Sequence, residues 1–198
     1  HKVKGLKEGE TYKLHLVPSG ILYGDKICFI GAGTVILPEN FEQETNELIS
    51  RGIDLSKLKL SPLATITMPW HTAVDGWAED NVKKGKIGTT RKGIGQTYTD
   101  KMARCALKVG DLFDEETLSE KIDIILPLKN KILKEVYGLK EYSKEEIIEL
   151  YVNNYNLGSN VYGVGEAAKY YFGKSVSELT LPEASLIAGL FQAPNGHN

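Results

Sequence analysis

The residues best suited to bind a ligand lie in one short loop, residues 88–95. Three glycines alternate there with two threonines and two cations, and a helix-compatible run begins at Thr97. Such a loop can bend its backbone toward a ligand and direct N–H groups, hydroxyls and positive charge at an anion. It is not a Walker A loop, because Ile94 and Gly95 stand where Lys and Ser or Thr are required. The pattern predicts phosphate binding, with a solvated connection as the alternative. The candidate binding residues are Gly88, Thr89, Thr90, Arg91, Lys92 and Gly93.

Other side chains capable of chemistry are scattered along the chain. The four histidines do not cluster at a metal-ligand spacing, so no metal site is predicted. His71 stands at a helix start and is most simply a residue of the cap region. Asp100 and Asp111 could form a carboxylate pair, but helix capping and loop solvation explain both. Cys28 and Cys105 are far apart in sequence, which favours reduced thiols and a cytoplasmic location.

Composition limits the classes of partner. The 198 residues are 41% hydrophobic and 25% charged, which is typical of a soluble globular protein. The formal net charge of −2 gives no reason to expect binding to nucleic acid or to an anionic membrane. No apolar run approaches the ~18 residues of a membrane span. The predicted ligand is therefore a phosphate-bearing small molecule.

The elements that would position the loop alternate between strand and helix. Alternating apolar residues and β-branched runs indicate strands, whereas helical spacing of apolar residues and Pro or Asp at the first positions indicate helices. This order predicts an α/β architecture. Strands are predicted at 11–17, 27–37 and 58–68, and helices at 38–52, at 69–83, from Thr97 and from Asp114, with a break or kink at Pro127.

The character of the sequence changes after about Gly138. Ser143-Lys-Glu-Glu is a capping box that opens a helix. Tyr162 to Phe172 predicts a short helix, and two further capping boxes follow at 175–178 and 180–183. This part of the chain predicts helices only.

The loop at residues 88–95, called the Gly/Thr loop below, and the residues after it resemble the signature loop of adenylosuccinate synthetase. Arg91 stands in place of a glycine and Gln96 in place of a proline. Residues 11–138 resemble the same family, including the segments that begin at Lys13, Ile30 and Val109. The resemblance implies an incomplete adenylosuccinate-synthetase-like sheet with helices. It also implies an activity, the GTP-dependent joining of IMP and aspartate, which requires Mg²⁺.

The resemblance carries over to few site residues. Thr90 matches a threonine that binds IMP, and Arg104 matches an arginine that reaches the IMP of the neighbouring subunit in a homodimer. His1 stands about where the catalytic histidine of the family would be, and a plain chain terminus is the alternative. The glycine-rich loop that carries the catalytic aspartate is absent from this sequence, as are the segments that bind aspartate and guanine. GTP and Mg²⁺ are therefore expected only if the full ligase activity exists.

Residues 139–198 resemble the last motifs of the peptidoglycan glycosyltransferase domain of bifunctional penicillin-binding proteins. The resemblance lies in Lys144 to Asn153 and in Tyr162 to Leu190. The two glutamates that this family uses lie in earlier motifs, which are absent here. Two domains are accordingly expected, an α/β segment at 1–138 and a helical segment at 139–198. Since the two families work in different compartments, an artificial chimera is favoured over a natural enzyme.

The expected function is that of a remnant IMP-phosphate-binding module without full catalytic activity. Three alternatives remain. The chain is a catalytically inert folded fusion or interaction protein, or a GTP-dependent ligase completed by another chain. The least favoured alternative is a peptidoglycan glycosyltransferase.

Overall fold

The computed structural model describes residues 2–4, 11–81, 88–152, 172–174 and 178. These residues form six short strands and five helices, with two 3₁₀ turns at 19–23 and 109–113. The strands are β1 (Lys2–Lys4), β2 (Thr11–Lys13), β3 (Cys28–Ile30), β4 (Val35–Ile36), β5 (Leu58–Leu60) and β6 (Thr65–Ile66). The helices are α1 (Pro38–Ser50), α2 (Pro69–Asn81), α3 (Ile94–Ala103), α4 (Glu115–Tyr137) and α5 (Lys144–Val152).

The described residues fall into two compact units. The first unit lies within 1–30, 39–60 and 149–198, and the second within 31–38 and 61–148. In the first, β1 pairs with β2 antiparallel and β3 pairs with β5 in parallel. Its buried apolar side chains are Tyr12, Leu14, Val17, Ile21, Leu22, Cys28, Ile30, Leu48 and Leu58.

The second unit contains the Gly/Thr loop and helices α2 to α4. In it, β4 pairs with β6 in parallel, and a bridge from Thr65 to Lys108 adds one more antiparallel contact. Its core collects apolar residues from the strand pair and from the faces of α4 and α5. The most deeply buried of these are Ile36, Ala64, Ile66, Met68, Leu107, Leu118, Ile122, Leu133 and Ile147.

The strands are shorter than the sequence predicts. The 11–17 strand ends at Lys13, because the backbone N–H groups of residues 15–17 donate to a side chain of α1 instead of a neighbouring strand. The 27–37 run is a pair of strands divided by a turn in which Thr34 N–H donates to Gly31 O. The 58–68 run is likewise two strands, since the chain turns between them at Pro62.

Capping signals predict the helices well. Helix α1 begins at Pro38 as predicted, and α5 follows a complete capping box, with Ser143 Oγ accepting from Glu146 N–H at 3.0 Å and Glu146 Oε2 accepting from Ser143 N–H at 2.8 Å. Helix α3 begins at Ile94, three residues earlier than predicted, because Gly93 supplies the left-handed residue before it.

Of the break or kink predicted at Pro127, the break is wrong. Helix α4 runs through this residue from Glu115 to Tyr137 and ends at Gly138, which has φ of 63°. Both Pro127 and Asp123 are exposed, so solvent can hydrate the Asp123 carbonyl that loses its amide partner. The same helix buries Leu118, Ile122 and Ile125, whereas Leu128 is 60% exposed.

The three two-stranded sheets of the described residues, together with their helices, confirm the predicted α/β class with an incomplete sheet. Beyond 152, the helices expected at 162–172 and after the last two capping boxes fall almost entirely outside the described residues. Within the described part of the chain, no helix combines the length and the hydropathy needed to cross a membrane.

Candidate functional site

The Gly/Thr loop turns sharply before α3. Gly88 and Gly93 have φ of 69° and 68°, and Arg91 between them has φ of 56°, in the left-handed region that disfavours side chains other than glycine. Gly93 stands immediately before Ile94, the first residue of α3. The predicted binding residues from 88 to 93 are therefore consecutive residues of one bent loop at a helix N-terminus, where an anion is electrostatically favoured.

Gly93 fixes the loop on the first turn of α2. A Cβ atom added at Gly93 would lie 2.6 Å from the carbonyl carbon of His71 and 2.7 Å from Thr72 N. The hydroxyl of Thr97 donates to the Gly93 carbonyl oxygen at 2.8 Å, and Thr97 is fully buried. Only glycine fits this contact, so the end of the loop has little freedom to shift relative to α2.

Three acidic side chains of α2 accept hydrogen bonds from residues of the loop. Asp75 Oδ2 accepts from Gly93 N–H at 2.9 Å, and Glu79 Oε2 accepts from Thr89 N–H at 3.2 Å. Asp80 pairs with both terminal nitrogens of Arg91, at 3.0 and 2.5 Å. The sequence pattern did not single out these carboxylates. The available signal was the i, i+4 spacing of Asp75 and Glu79 on the helix that precedes the loop.

A buried network lies beneath the loop. Asp100 Oδ2 is 2.8 Å from His71 Nε2, and Asp100 Oδ1 is 2.5 Å from Lys129 Nζ. Both Asp100 and His71 are buried, at 5% and 2% exposure. The prediction that capping and loop solvation explain Asp100 is therefore wrong, because this carboxylate ties α3 to α2 and to α4.

The protonation of His71 follows from its partners. Its Nδ1 accepts the backbone N–H of Met68 at 2.8 Å, so this nitrogen is unprotonated. The one proton of a neutral imidazole then lies on Nε2, which is 2.8 Å from Asp100 Oδ2 and 3.0 Å from Trp70 Nε1. Burial lowers the pKa of His71, and its hydrogen bond to Asp100 only partly opposes that effect. The imidazole is thus neutral. Its place in the first turn of α2, accepting from the residue before the helix, confirms the predicted role in the cap region.

The charge on Asp100 has a clear physical cause. Burial alone would raise the pKa of its carboxyl, but the hydrogen bonds from His71 and Lys129 outweigh burial and lower the pKa to about 2. The ionised carboxylate, the ammonium of Lys129 and the neutral imidazole therefore form a compact unit without net charge. His71 and Lys129 each bind Asp100, so this network is internal support for the loop.

The remaining predicted residues lie elsewhere. Arg104 ends α3 with φ of 61° and is exposed. The ten residues of α3 place it roughly 15 Å along the helix from Gly93. Asp111 is 8% exposed and accepts from Lys108 N–H at 2.8 Å, so it caps a 3₁₀ turn as predicted but is not solvated. His1 lies outside the described residues.

The described residues offer no ready metal centre. Among them, no group of three or more His, Cys, Asp or Glu side chains is arranged to hold an ion. Asp75, Glu79 and Asp80 are engaged with the loop as described above. The donor set that Mg²⁺ would need is therefore not assembled in this part of the chain.

Comparison with known proteins identifies the family. The family model of adenylosuccinate synthetase matches residues 1–166. The chain belongs to the adenylosuccinate synthetase family. The match extends past residue 138, where the first predicted domain ends, and includes the Gly/Thr loop.

Individual members of the adenylosuccinate synthetase family give the same result. The enzyme of Prochlorococcus marinus is 44% identical over 146 residues, which are 74% of this chain and 34% of that protein. The enzyme of Listeria welshimeri is 42% identical over 164 residues, 83% of this chain and 36% of the relative. The chain thus spans about a third of the length of the curated relatives it matches.

The fold agrees with a solved structure of the family. A structure of fully ligated adenylosuccinate synthetase from Plasmodium falciparum superimposes with a TM-score of 0.61 and 31% sequence identity. The match covers 76% of this chain and 34% of that protein. The predicted adenylosuccinate-synthetase-like fold is therefore confirmed. The glycosyltransferase resemblance of 139–198 and the two-domain division stay predictions, and most residues that carry them lie outside the described part of the chain.

Proposed function

We propose that this chain is a purine-nucleotide-binding module whose Gly/Thr loop holds the phosphate end of IMP. The observation that carries the proposal is the loop itself. The loop that resembles the family signature lies within the matched residues 1–166, and its glycines at 88 and 93 adopt left-handed backbone in the segment that leads into α3. Backbone N–H groups, the hydroxyls of Thr89 and Thr90, and the charge of Lys92 would then bind the phosphate.

The proposal assigns binding to this chain and no full catalytic cycle. Acid–base chemistry needs a titratable group that can reach the substrate. His71 and Asp100 are committed to each other and to Lys129 in the interior. The proposal includes neither GTP nor Mg²⁺, which belong to the full ligase activity. The proposed setting is the cytoplasm.

The test is a titration of the full chain with IMP, followed by the chemical shifts of its backbone amides. We expect saturable shifts in residues 88–96 and weaker binding in Thr90→Ala, since Thr90 is exposed in the loop and its hydroxyl is free to approach a ligand. Thr99→Ala is the matched control, because Thr99 is an exposed threonine of α3 whose hydroxyl donates to Gly95 O. Absence of saturable shifts at millimolar IMP would remove the proposal.

A second candidate is a GTP-dependent ligase completed by another chain. The relatives are named adenylosuccinate synthetase, and this chain spans about a third of their length. Phosphate release that depends jointly on GTP, IMP, aspartate and an added second chain would favour it. In that setting, the exposed Arg104 would serve a homodimer, and loss of dimerisation in Arg104→Ala would support this role.

Two further candidate functions depend on residues 139–198. An inert fusion or interaction protein would unfold in one transition that IMP does not move. A glycosyltransferase would need the two catalytic glutamates, which do not occur among these 198 residues. It would transfer sugar from a lipid-linked donor, and absence of that transfer leaves the IMP-binding proposal unaffected.

A further inference from the structure

The carboxylates of α2 occupy the same loop groups that a phosphate would use. Asp75 and Glu79 lie one helical turn apart, and each accepts one backbone N–H of the loop, from Gly93 at 2.9 Å and from Thr89 at 3.2 Å. A carboxylate resembles one face of a phosphate, with oxygens that accept from N–H groups. Two carboxylates of the chain itself therefore already accept N–H groups that a phosphate would use.

The third acidic residue extends the same arrangement to a side chain. Asp80 binds both terminal nitrogens of Arg91, so the guanidinium is directed to α2. Arg91 stands at a position where the family signature has glycine. The backbone donors at 89 and 93 and the cation at 91 are therefore all engaged by α2 in the ligand-free chain.

We infer that Asp75 and Glu79 are internal competitors for the nucleotide phosphate and determine the affinity of the loop. This inference rests on the proposed function, the binding of IMP by the same loop. A phosphate that approached the N–H groups of Thr89 and Gly93 would have to displace both carboxylates. Two negative charges so close to a phosphate dianion also repel it.

A purely structural role makes the opposite prediction. If the two carboxylates only hold the loop in its bent form, their loss disorders the donors and weakens phosphate binding. Asn and Gln keep a side-chain oxygen that can accept from the same N–H groups but remove the negative charge. The double variant Asp75→Asn, Glu79→Gln therefore separates competition from positioning.

The experiment titrates the full wild-type chain and the double variant with IMP and, separately, with inorganic phosphate, following the amide resonances of Thr89 and Gly93. We expect the double variant to bind both ligands about tenfold more tightly. Asp123→Asn is the control for loss of an acidic charge away from the loop, because Asp123 is an exposed acid of α4 that pairs with Lys144. It should leave both affinities unchanged.

Each outcome decides between the two roles. Tighter binding by the double variant than by a saturable wild type supports the inference. Equal or weaker binding, with the wild type saturable, overturns the inference and leaves the proposed function in place. If neither chain binds IMP or phosphate, the proposed function fails and the inference fails with it. Asp75→Ala adds a second reading, since a competitor predicts tighter binding and a positioning residue predicts weaker binding.

Discussion

Asp100 and His71 meet in the interior at 2.8 Å, with Oδ2 of the carboxylate accepting the Nε2–H of a neutral imidazole. Lys129 of α4 binds the other carboxylate oxygen. Helices α2, α3 and α4 are thus joined by one aspartate, and the loop before α3 rests on the same turn of α2 as His71. The stability of this unit and the shape of the loop are therefore linked through Asp100.

Replacing Asp100 by Asn should destabilise the protein strongly. The amide cannot compensate the Lys129 ammonium, which would be left only 16% exposed. Loss of one partner from a buried ion pair costs about 3 kcal/mol. The free energy of unfolding in urea measures the effect. Asp123→Asn removes an exposed acid from the Lys144 pair and should cost less than about 1 kcal/mol. Equal losses of unfolding free energy in Asp100→Asn and Asp123→Asn would contradict a buried ion pair between Asp100 and Lys129.

Stability should fall in acid in two stages. The pKa of His71 is lowered from 6.5 by burial, so the unfolded chain binds a proton first and stability declines as pH drops below about 6.5. The pKa of Asp100 is lowered from 3.8 to about 2, so its contribution is present above about 3.8 and is lost between there and about 2.

Urea unfolding at successive pH values checks both stages. The stage below pH 4 should amount to about 1–2 kcal/mol in the wild type. It should be smaller in Asp100→Asn, which has no carboxyl to titrate at this position. A wild type and a variant with parallel curves below pH 4 would show that Asp100 does not have its lowered pKa.

Local signals explain which parts of the fold the sequence predicts. The capping box at Ser143 and the Pro that opens α1 act within a few residues, so α1 and α5 are predicted closely. The strands were overestimated because apolar alternation does not reveal where the backbone N–H groups find partners. Those of residues 15–17 bind a glutamate 27 to 29 positions away.

The candidate site is likewise predicted from the sequence only in part. The loop was predicted from its glycines, whose left-handed backbone is a property of single residues. The residues that bind the loop are not predicted from the sequence, because Asp75 and Gly93 are 18 positions apart and are brought together only by folding. Asp100 was assigned to capping because His71 and Lys129 are each 29 positions from it. Sequence spacing carries no sign of such contacts.

Gly93→Ala and Gly95→Ala should have opposite effects. A methyl group at Gly93 meets backbone atoms of His71 and Thr72 within 2.7 Å and also occupies left-handed backbone, so a loss of more than about 2 kcal/mol is expected. At Gly95, inside α3, a Cβ meets nothing within 4 Å, and the helix should gain up to about 1 kcal/mol. Thermal and urea unfolding measure both. A tolerated Gly93→Ala would contradict the close seating of the loop.

Glu44 should be the critical residue of the first unit. Its carboxylate is 7% exposed and accepts three consecutive backbone N–H groups, those of His15, Leu16 and Val17, at 2.9 to 3.1 Å. Glu44→Ala leaves these donors without that acceptor, and we expect a loss of about 2–3 kcal/mol. Hydrogen exchange should accelerate at the amides of 15–17 in particular.

Glu47→Ala on the same helix is the control for Glu44. Glu47 is 56% exposed in its side chain and forms an i, i+4 pair with Arg51 at 3.6 Å, a contact that contributes less than about 0.5 kcal/mol. Its loss should leave both unfolding and the exchange of the 15–17 amides near wild type. If Glu44→Ala behaves in the same way, then water replaces the carboxylate at little cost, and α1 does not hold the segment after β2 through Glu44.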